Sequence, residues 1–333
     1  MSDEEMSMSA LPLAIALTAC VAFAAASPTA AQSYPTKPIR IVVPYAPSGG
    51  TDVIARLLAK KLSETFGQAV VVDNRSGAGG IVGTELVTHA PADGYTLLLT
   101  SSAHTIVPAM GTRTPYDPVK DFTPISLLTA QPYLMVVHSS VAASTVEEFI
   151  ALAKSRNGQI NYGSGGIGTA PHLAGELLQS IASVKLVHVP YKGGGPALVG
   201  VVTGEVEMLF SSLPTTLPQA QAGKVKILGI SSLKRSAAAP SVPTLAEAGV
   251  PGFEVINWYG VLAPAKTTER AVTKLHDTIV RVLHAPDIAA RLAADGTDVV
   301  GDSPAQFREY LEKEITKWRQ VVRTTGVTAQ ETR

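Results

Sequence analysis

Val43-Pro44-Tyr45-Ala46-Pro47-Ser48-Gly49-Gly50-Thr51-Asp52 decides how this chain is read. Ahead of it, the apolar run from Ile39 to Val43 has the composition of a buried strand. The Pro, Ser and Gly residues then break that strand. Behind it, Val53, Ile54, Leu57, Leu58 and Leu62 recur at helical spacing, so a helix is expected over Asp52–Phe66. A strand, a short glycine loop and a helix start turn several backbone N–H groups toward one spot. The helix dipole adds partial positive charge there. Such a loop is built to receive an anion or another strong acceptor.

The same unit repeats outward from that loop. Strands are expected at Val70–Asp73, Tyr95–Thr100, Pro132–Val137, Ile160–Tyr162, Val184–Val189, Val206–Phe210 and Lys226–Ile230. Helical patterns follow several of them, at Ile81–Thr88, at Val146–Lys154, from Thr169 to Ser180 and from Pro196 onward. This alternation argues for an α/β fold, with a parallel sheet covered by helices on both faces. Runs without polar alternation, such as Val70-Val71-Val72, fit strands buried on both sides. Thr112–Pro124 reads as a connection and Phe253–Leu262 as extended chain. The tail is helical over Thr268–Leu283, Ile288–Ala294 and Pro304–Val322, with Ser303 as cap and Pro304 in the first turn of the last helix.

At 333 residues the chain suits about two domains. It is 46% hydrophobic and 16% charged, which is the composition of a folded rather than a disordered chain. Its 27 basic and 27 acidic residues balance, so no basic face for nucleic acid is expected. Cys20 is the only cysteine, so neither a disulfide framework nor a cysteine metal site can form.

Residues 1–33 read as a secretory leader, with an apolar stretch from Leu11 to Ala26 and small residues near the cleavage region at Ala26 or Ala31. Asp3, Glu4 and Glu5 stand where such a leader carries positive charge, and they are its only charges. Its removal leaves the mature chain mildly basic. Leu17-Thr18-Ala19-Cys20 also fits a lipoprotein cleavage box, and an uncleaved anchor is a further alternative. An exported chain of this kind belongs in a bacterial cell envelope.

Six loops follow the strands, at 45–52, 75–80, 101–105, 163–169, 191–195 and 211–213, and Gly, Ser, Thr and Tyr dominate them. In open parallel sheets the ligand crevice lies beyond the carboxyl ends of the strands. Two such domains facing each other would bring the loops around one cleft. The groups on offer are backbone N–H, hydroxyls and a few rings, which bind carboxylates without acid–base work. The candidate ligand-binding residues are therefore Tyr45, Pro47, Ser48, Gly49, Gly50, Thr51, Asp52, Ser101, Ser102, His104, Gly165, Gly166, Thr169, His172, Tyr191, Gly194, Ser211 and Ser212. Asp52 has two readings, as a dipole partner paired with Arg56 or as a partner for a ligand amine. Arg75 and Lys192 are candidates for attracting an anion.

No catalytic constellation accompanies the loops. There is neither G-x-S-x-G nor H-E-x-x-H, and the seven histidines are scattered. Gly163-Ser164-Gly165-Gly166-Ile167-Gly168 matches a dinucleotide fingerprint. The next strand, Val184 to Pro190, lacks the acidic residue that would hold a ribose, so no cofactor is expected.

Tyr34-Pro35-Thr36-Lys37-Pro38-Ile39-Arg40-Ile41-Val42-Val43-Pro44 resembles the mature start of the tripartite tricarboxylate transporter substrate-binding proteins, the Bug-type periplasmic receptors. Gly49-Gly50-Thr51-Asp52 with Ala55-Arg56, the run Val72 to Gly80, the run Ala92 to Leu98 and the run Val189 to Gly194 resemble the same family. The resemblance implies a type II periplasmic-binding fold, in which two Rossmann-like lobes are joined by two crossing strands and close like a flytrap. The lobes would be 34–131 with 254–333, and 132–253, with hinges near 130–133 and 253–257. It implies a monomeric, non-enzymatic receptor for a small carboxylate: a di- or tricarboxylate, an acidic amino acid or an aromatic acid. It also implies delivery to membrane permease subunits, with a sensing role or an α/β enzyme as the rival readings. Ser48 stands between Pro47 and the Gly pair, and Asp73 precedes Asn74; both depart from the family pattern.

Overall fold

The computed structural model describes residues 34–47, 49–294 and 296–327. The strands are β1 (Ile39–Val43), β2 (Val70–Asn74), β3 (Thr96–Ser101), β4 (Phe122–His138), β5 (Asn161–Ser164), β6 (Val187–Pro190), β7 (Met208–Ser212), β8 (Val225–Ile230), β9 (Ile256–Pro264) and β10 (Asp298–Val299). They pair in the order β2-β1-β3-β9-β4-β7-β5-β6, and β8 and β10 also pair with β4. β1, β2 and β3 run parallel, as do β5, β6 and β7. Each of these two sets is a strand–loop–helix array of the kind expected.

The sheet is nevertheless mixed and not wholly parallel. β9 is antiparallel to both β3 and β4, and β4 is antiparallel to β7 and β8. β4 is also a single strand of 17 residues where the sequence suggests a connection followed by a short strand. Prolines hide it. Pro124 lies where the β4–β9 register slips, so its missing N–H takes no bond from the ladder, and Pro132 is the last residue paired with β9. One residue later, Tyr133 pairs with Ser212 of β7. The N–H of Val255, one residue before β9, donates to Ser231 O at the end of β8. The two parallel arrays are thus joined where β4 changes partners and where the chain enters β9.

Local chemistry explains the other shifts. β6 starts at Val187 instead of Val184, because the Leu186 N–H donates to Gln179 Oε1 at 2.8 Å instead of to a neighbouring strand. The helix Gly194–Thr203 starts ahead of Pro196, which fits because the first turn of a helix needs no N–H from proline. The helix Leu213–Gln221 was masked in the sequence by Pro214 and Pro218.

The helix Pro304–Thr325 ties the arrays together. It starts in a capping box between Ser303 and Gln306. Its Phe307 and Leu311 pack with Val42, Leu98 and Trp258, while Trp318 and Val321 pack with Phe149, Phe210 and Phe253. Phe307 lies against Gly260 of β9, where an added Cβ would fall 2.3 Å from the ring. Gly260→Ala is expected to cost about 1–3 kcal/mol through overpacking, read as a lower urea midpoint at constant slope. An unchanged midpoint would show that the ring does not depend on that glycine.

Candidate functional site

The carboxyl ends of the parallel strands open on one cavity of about 580 Å³. The first array supplies Tyr45, Gly79, Ser101, Ser102, Ala103 and Val107. The second supplies Gly165, Ile167, Gly168, Thr169, Ala170, Pro171, Gly193, Gly194, Gly195, Leu209, Phe210, Ser211, Ser212 and Thr215. Tyr133 of β4 and Asn257 of β9 complete the lining.

Three helix starts converge on it. Thr169, Gly193 and Ser212 are the N-caps of the helices Ala170–Ala182, Gly194–Thr203 and Leu213–Gln221. None of the three has a side-chain cap, so first-turn N–H groups are left for another acceptor. Of the helices that start elsewhere, Val146–Arg156 is capped by Thr145 and Pro304–Thr325 by Ser303, whereas Gly50–Phe66 and Glu269–Leu283 also lack a side-chain cap. The loops that hold these starts are locked together. Gly193 N–H donates to Gly165 O at 3.1 Å and Tyr191 N–H donates to Ser164 O at 3.0 Å. A Cβ on Gly165 would sit 3.2 Å from Gly194 N, a tight contact that glycine avoids where the two backbones meet.

Opposite donors come from the first array. The Tyr45 hydroxyl lies 3.2 Å from Thr100 Oγ1 and accepts from Ser101 Oγ at 3.2 Å. Its ring lies over Gly80, which sits at φ +100°. Asn74 Nδ2 donates to Tyr45 O at 3.1 Å and to Asp52 Oδ1 at 3.0 Å. Asp52 Oδ2 in turn accepts from Arg56 Nε at 2.9 Å. Asn257 Nδ2 donates to the Tyr259 hydroxyl at 3.0 Å. Burial pushes the phenols of Tyr45 and Tyr133 upward, so both stay neutral donors at ordinary pH.

Of the residues expected from sequence, Tyr45, Ser101, Ser102, Gly165, Thr169, Gly194, Ser211 and Ser212 line the cavity. The others do not. Ser48 lies outside the described residues. Pro47 and Gly49 are exposed outside the cavity, and Gly50 lies beneath the Tyr259 hydroxyl. Thr51 and Asp52 are buried, with Asp52 held by Arg56 and Asn74. His104 is buried between Tyr116 and Phe122, with Nε2 2.8 Å from Pro118 O. Gly166 O accepts from Ser164 Oγ and Thr169 Oγ1 and stiffens its own loop. His172 is buried against His188. Tyr191 packs its ring against Gly163 and Gly200. Arg75 donates to Asp73 Oδ2 at 3.0 Å, and Lys192 is exposed outside the cavity.

The residues not anticipated fall into three groups, the first being Ala103, Val107, Ala170, Pro171 and Thr215, which lie on the helices that begin at those loops. Gly79, Ile167, Gly168, Gly193 and Gly195 lie inside loops already singled out. Tyr133, Leu209, Phe210 and Asn257 sit on strands, and only the pairing of those strands brings them to the cavity. Among the described residues there is no cluster of His, Cys, Asp and Glu able to hold a metal ion. Nor is any described helix long and apolar enough to cross a membrane.

Comparison with known proteins places this arrangement among relatives. A family model described as the tripartite tricarboxylate transporter family receptor matches residues 54–327. Protein BugT of Bordetella pertussis (strain Tohama I) is 36% identical over 303 residues, covering 90% of this chain and 93% of BugT. The structure of R. palustris Rpa4515 with adipate is 35% identical, with a TM-score of 0.76, covering 89% of this chain and 99% of that one. MatC from Rhodopseudomonas palustris with bound malate is 34% identical, with a TM-score of 0.73, covering 87% of this chain and 100% of that one.

A buried histidine, His172, and a half-buried one, His188, stand behind the Gly165–Thr169 loop. The rings of His172 and His188 stack 4.0 Å apart. His172 Nδ1 accepts from Gly168 N–H at 3.1 Å, and His188 Nε2 lies 2.7 Å from Ser164 Oγ. Burial, reinforced by its histidine neighbour, pushes His172 down to about 3. Burial alone takes His188 to about 4. His104 also falls to about 4, again through burial. Each ring binds its proton more readily in the unfolded chain than in the folded one. Their contribution to stability is therefore full above the ordinary histidine value of about 6.5. It is lost as pH falls toward the folded values. Unfolding free energy is expected to decline from pH 6.5 to 4. His188→Gln, which keeps a donor for Ser164 but does not titrate, is expected to flatten that decline. An equally steep decline in the variant would exclude His188 as one of its sources.

Proposed function

This chain belongs to the tripartite tricarboxylate transporter receptor family, and we propose that it captures a small carboxylate in the cavity and delivers it to membrane permease subunits. Family and fold are those of substrate-binding receptors and not of enzymes. The observation that carries the proposal is the convergence of three uncapped helix starts, at Thr169, Gly193 and Ser212, on one cavity. Their free N–H groups and dipoles favour a carboxylate over a cation. The relatives solved with adipate and with malate support the same ligand chemistry.

In this reading 34–131 with 254–333 form one lobe and 132–253 the other. They close about the partner switch at Pro132 and Tyr133 and about the entry to β9. The receptor works as a monomer in the periplasm, with residues 1–33 serving as its export leader. That leader and Cys20 lie outside the described residues.

The test is a thermal-shift panel of carboxylates, amines and neutral solutes. A carboxylate at 100 times its Kd is expected to add about 2.7 kcal/mol of stability and to be recovered unchanged. Gly165→Ala, whose Cβ presses on Gly194 N, is expected to weaken binding about tenfold, which corresponds to about 1.4 kcal/mol. A stabilising amine with no response to any acid would refute the carboxylate reading. Chemical conversion of a bound acid would refute the receptor reading.

A further inference from the structure

The loop that carries the helix start at Thr169 is braced from behind by a chain of polar groups. Leu186 N–H donates to Gln179 Oε1 at 2.8 Å. That bond fixes the orientation of the Gln179 amide, whose Nε2 donates to Glu176 Oε1 at 2.9 Å. The Tyr162 hydroxyl donates to the same oxygen at 2.6 Å. Glu176 is buried, and its Oε1 is thereby set as an acceptor.

That oxygen also faces His172 Nε2, at 3.9 Å. His172 lies one turn before Glu176 on the helix Ala170–Ala182 and is buried too. Burial holds its ring neutral, so one ring nitrogen carries the proton and the other accepts. The carboxyl oxygen favours the proton on Nε2 even at a distance beyond hydrogen bonding. Nδ1 is left bare, and it accepts from Gly168 N–H at 3.1 Å. With the proton on Nδ1 instead, two buried donors would face each other and the loop would have to shift.

Gly168 is placed to pass such a shift to the cavity. It belongs to the lining and directly precedes the N-cap Thr169. Met110, at the end of the helix Ala103–Ala109, stands against it: a Cβ on Gly168 would sit 3.2 Å from Met110 Sδ. The loop therefore meets the first array at Met110 and its own array at His172.

Given that the cavity takes a carboxylate, we infer that Glu176 and His172 are positioning residues for binding. Glu176 selects the His172 tautomer that accepts the Gly168 N–H, and that bond sets the helix start at Thr169 in place for the ligand. Neither side chain lines the cavity.

Two measurements on the mature receptor test this. Nitrogen NMR of isotope-labelled histidine, with the His172 signals assigned from His172→Asn, reads the tautomer without ligand. The proton is expected on Nε2 in the parent protein, and Glu176→Gln is expected to give mixed tautomers. Calorimetric titration with adipate and malate reads affinity. His172→Leu is expected to weaken binding about tenfold, the effect of one lost hydrogen bond. His172→Asn, whose amide oxygen takes the place of Nδ1, is expected to recover most of that loss. Melting temperatures without ligand report whether each variant is folded, and the nearly isosteric Glu176→Gln, expected to weaken binding about threefold, keeps the test open if His172→Leu does not fold.

A proton on Nδ1 in the parent protein, or unchanged affinity in folded His172→Leu, would overturn the inference. So would equal losses in His172→Asn and His172→Leu, which would place the effect in packing and not in the accepted bond. A tautomer unmoved by Glu176→Gln would overturn the role of Glu176. Silence from both acids would count against the carboxylate reading, and the tautomer signals would then decide the brace by themselves.

Discussion

A helix cannot satisfy the first N–H groups of its own backbone, and the cavity is built on that constraint. Three helices begin at its wall with no capping side chain, at Thr169, Gly193 and Ser212. Bringing their starts together requires two loops to run in contact, and Gly165 permits it by leaving Gly194 N unobstructed. The bonds from Gly193 to Gly165 and from Tyr191 to Ser164 then fix the loops to each other. Donors fixed in this way need no reorganisation when an acceptor arrives, which is how a site without a charged side chain can hold an anion.

Around those donors stands a layer of supports. Asp52 and Asn74 hold the Tyr45 backbone, and Gly80 leaves room for the Tyr45 ring. His172 accepts the Gly168 N–H, and His188 meets Ser164. Tyr191 fills the space left by Gly163 and Gly200 beneath its own loop. These are the polar residues most conspicuous in the sequence, and they fix the backbone that lines the cavity. Among them, desolvation holds His172 and His188 below the ordinary histidine value, so both rings stay neutral near pH 7.

Much of the fold was legible in the sequence because its unit is local. An apolar run, a glycine turn and a helical period sit within about 30 residues, and the strands β1, β2, β5 and β7 emerged from that pattern. Length and the repeated loops already suggested two facing domains, the family resemblance added the two crossing strands, and periodicity alone read the sheet as parallel. β4 was not legible as one strand, because its prolines read as punctuation until the register slip at Pro124 explains them. The site was legible as loops but not as side chains. Sequence shows that His104, His172 and Tyr191 are polar, yet only packing shows that each turns inward to a partner or a glycine. Tyr133 and Asn257 escaped notice because they lie on the strands that join the arrays, far in sequence from any loop.

The most direct measurement is a crystal structure of the mature receptor with a bound acid. The carboxylate is expected against the backbone N–H groups of the helix starts at Ala170, Gly194 and Leu213. Density for the acid outside this cavity, for instance in the groove between the helices Ala170–Ala182 and Pro304–Thr325, would contradict it. So would a carboxylate held by a lysine or arginine side chain.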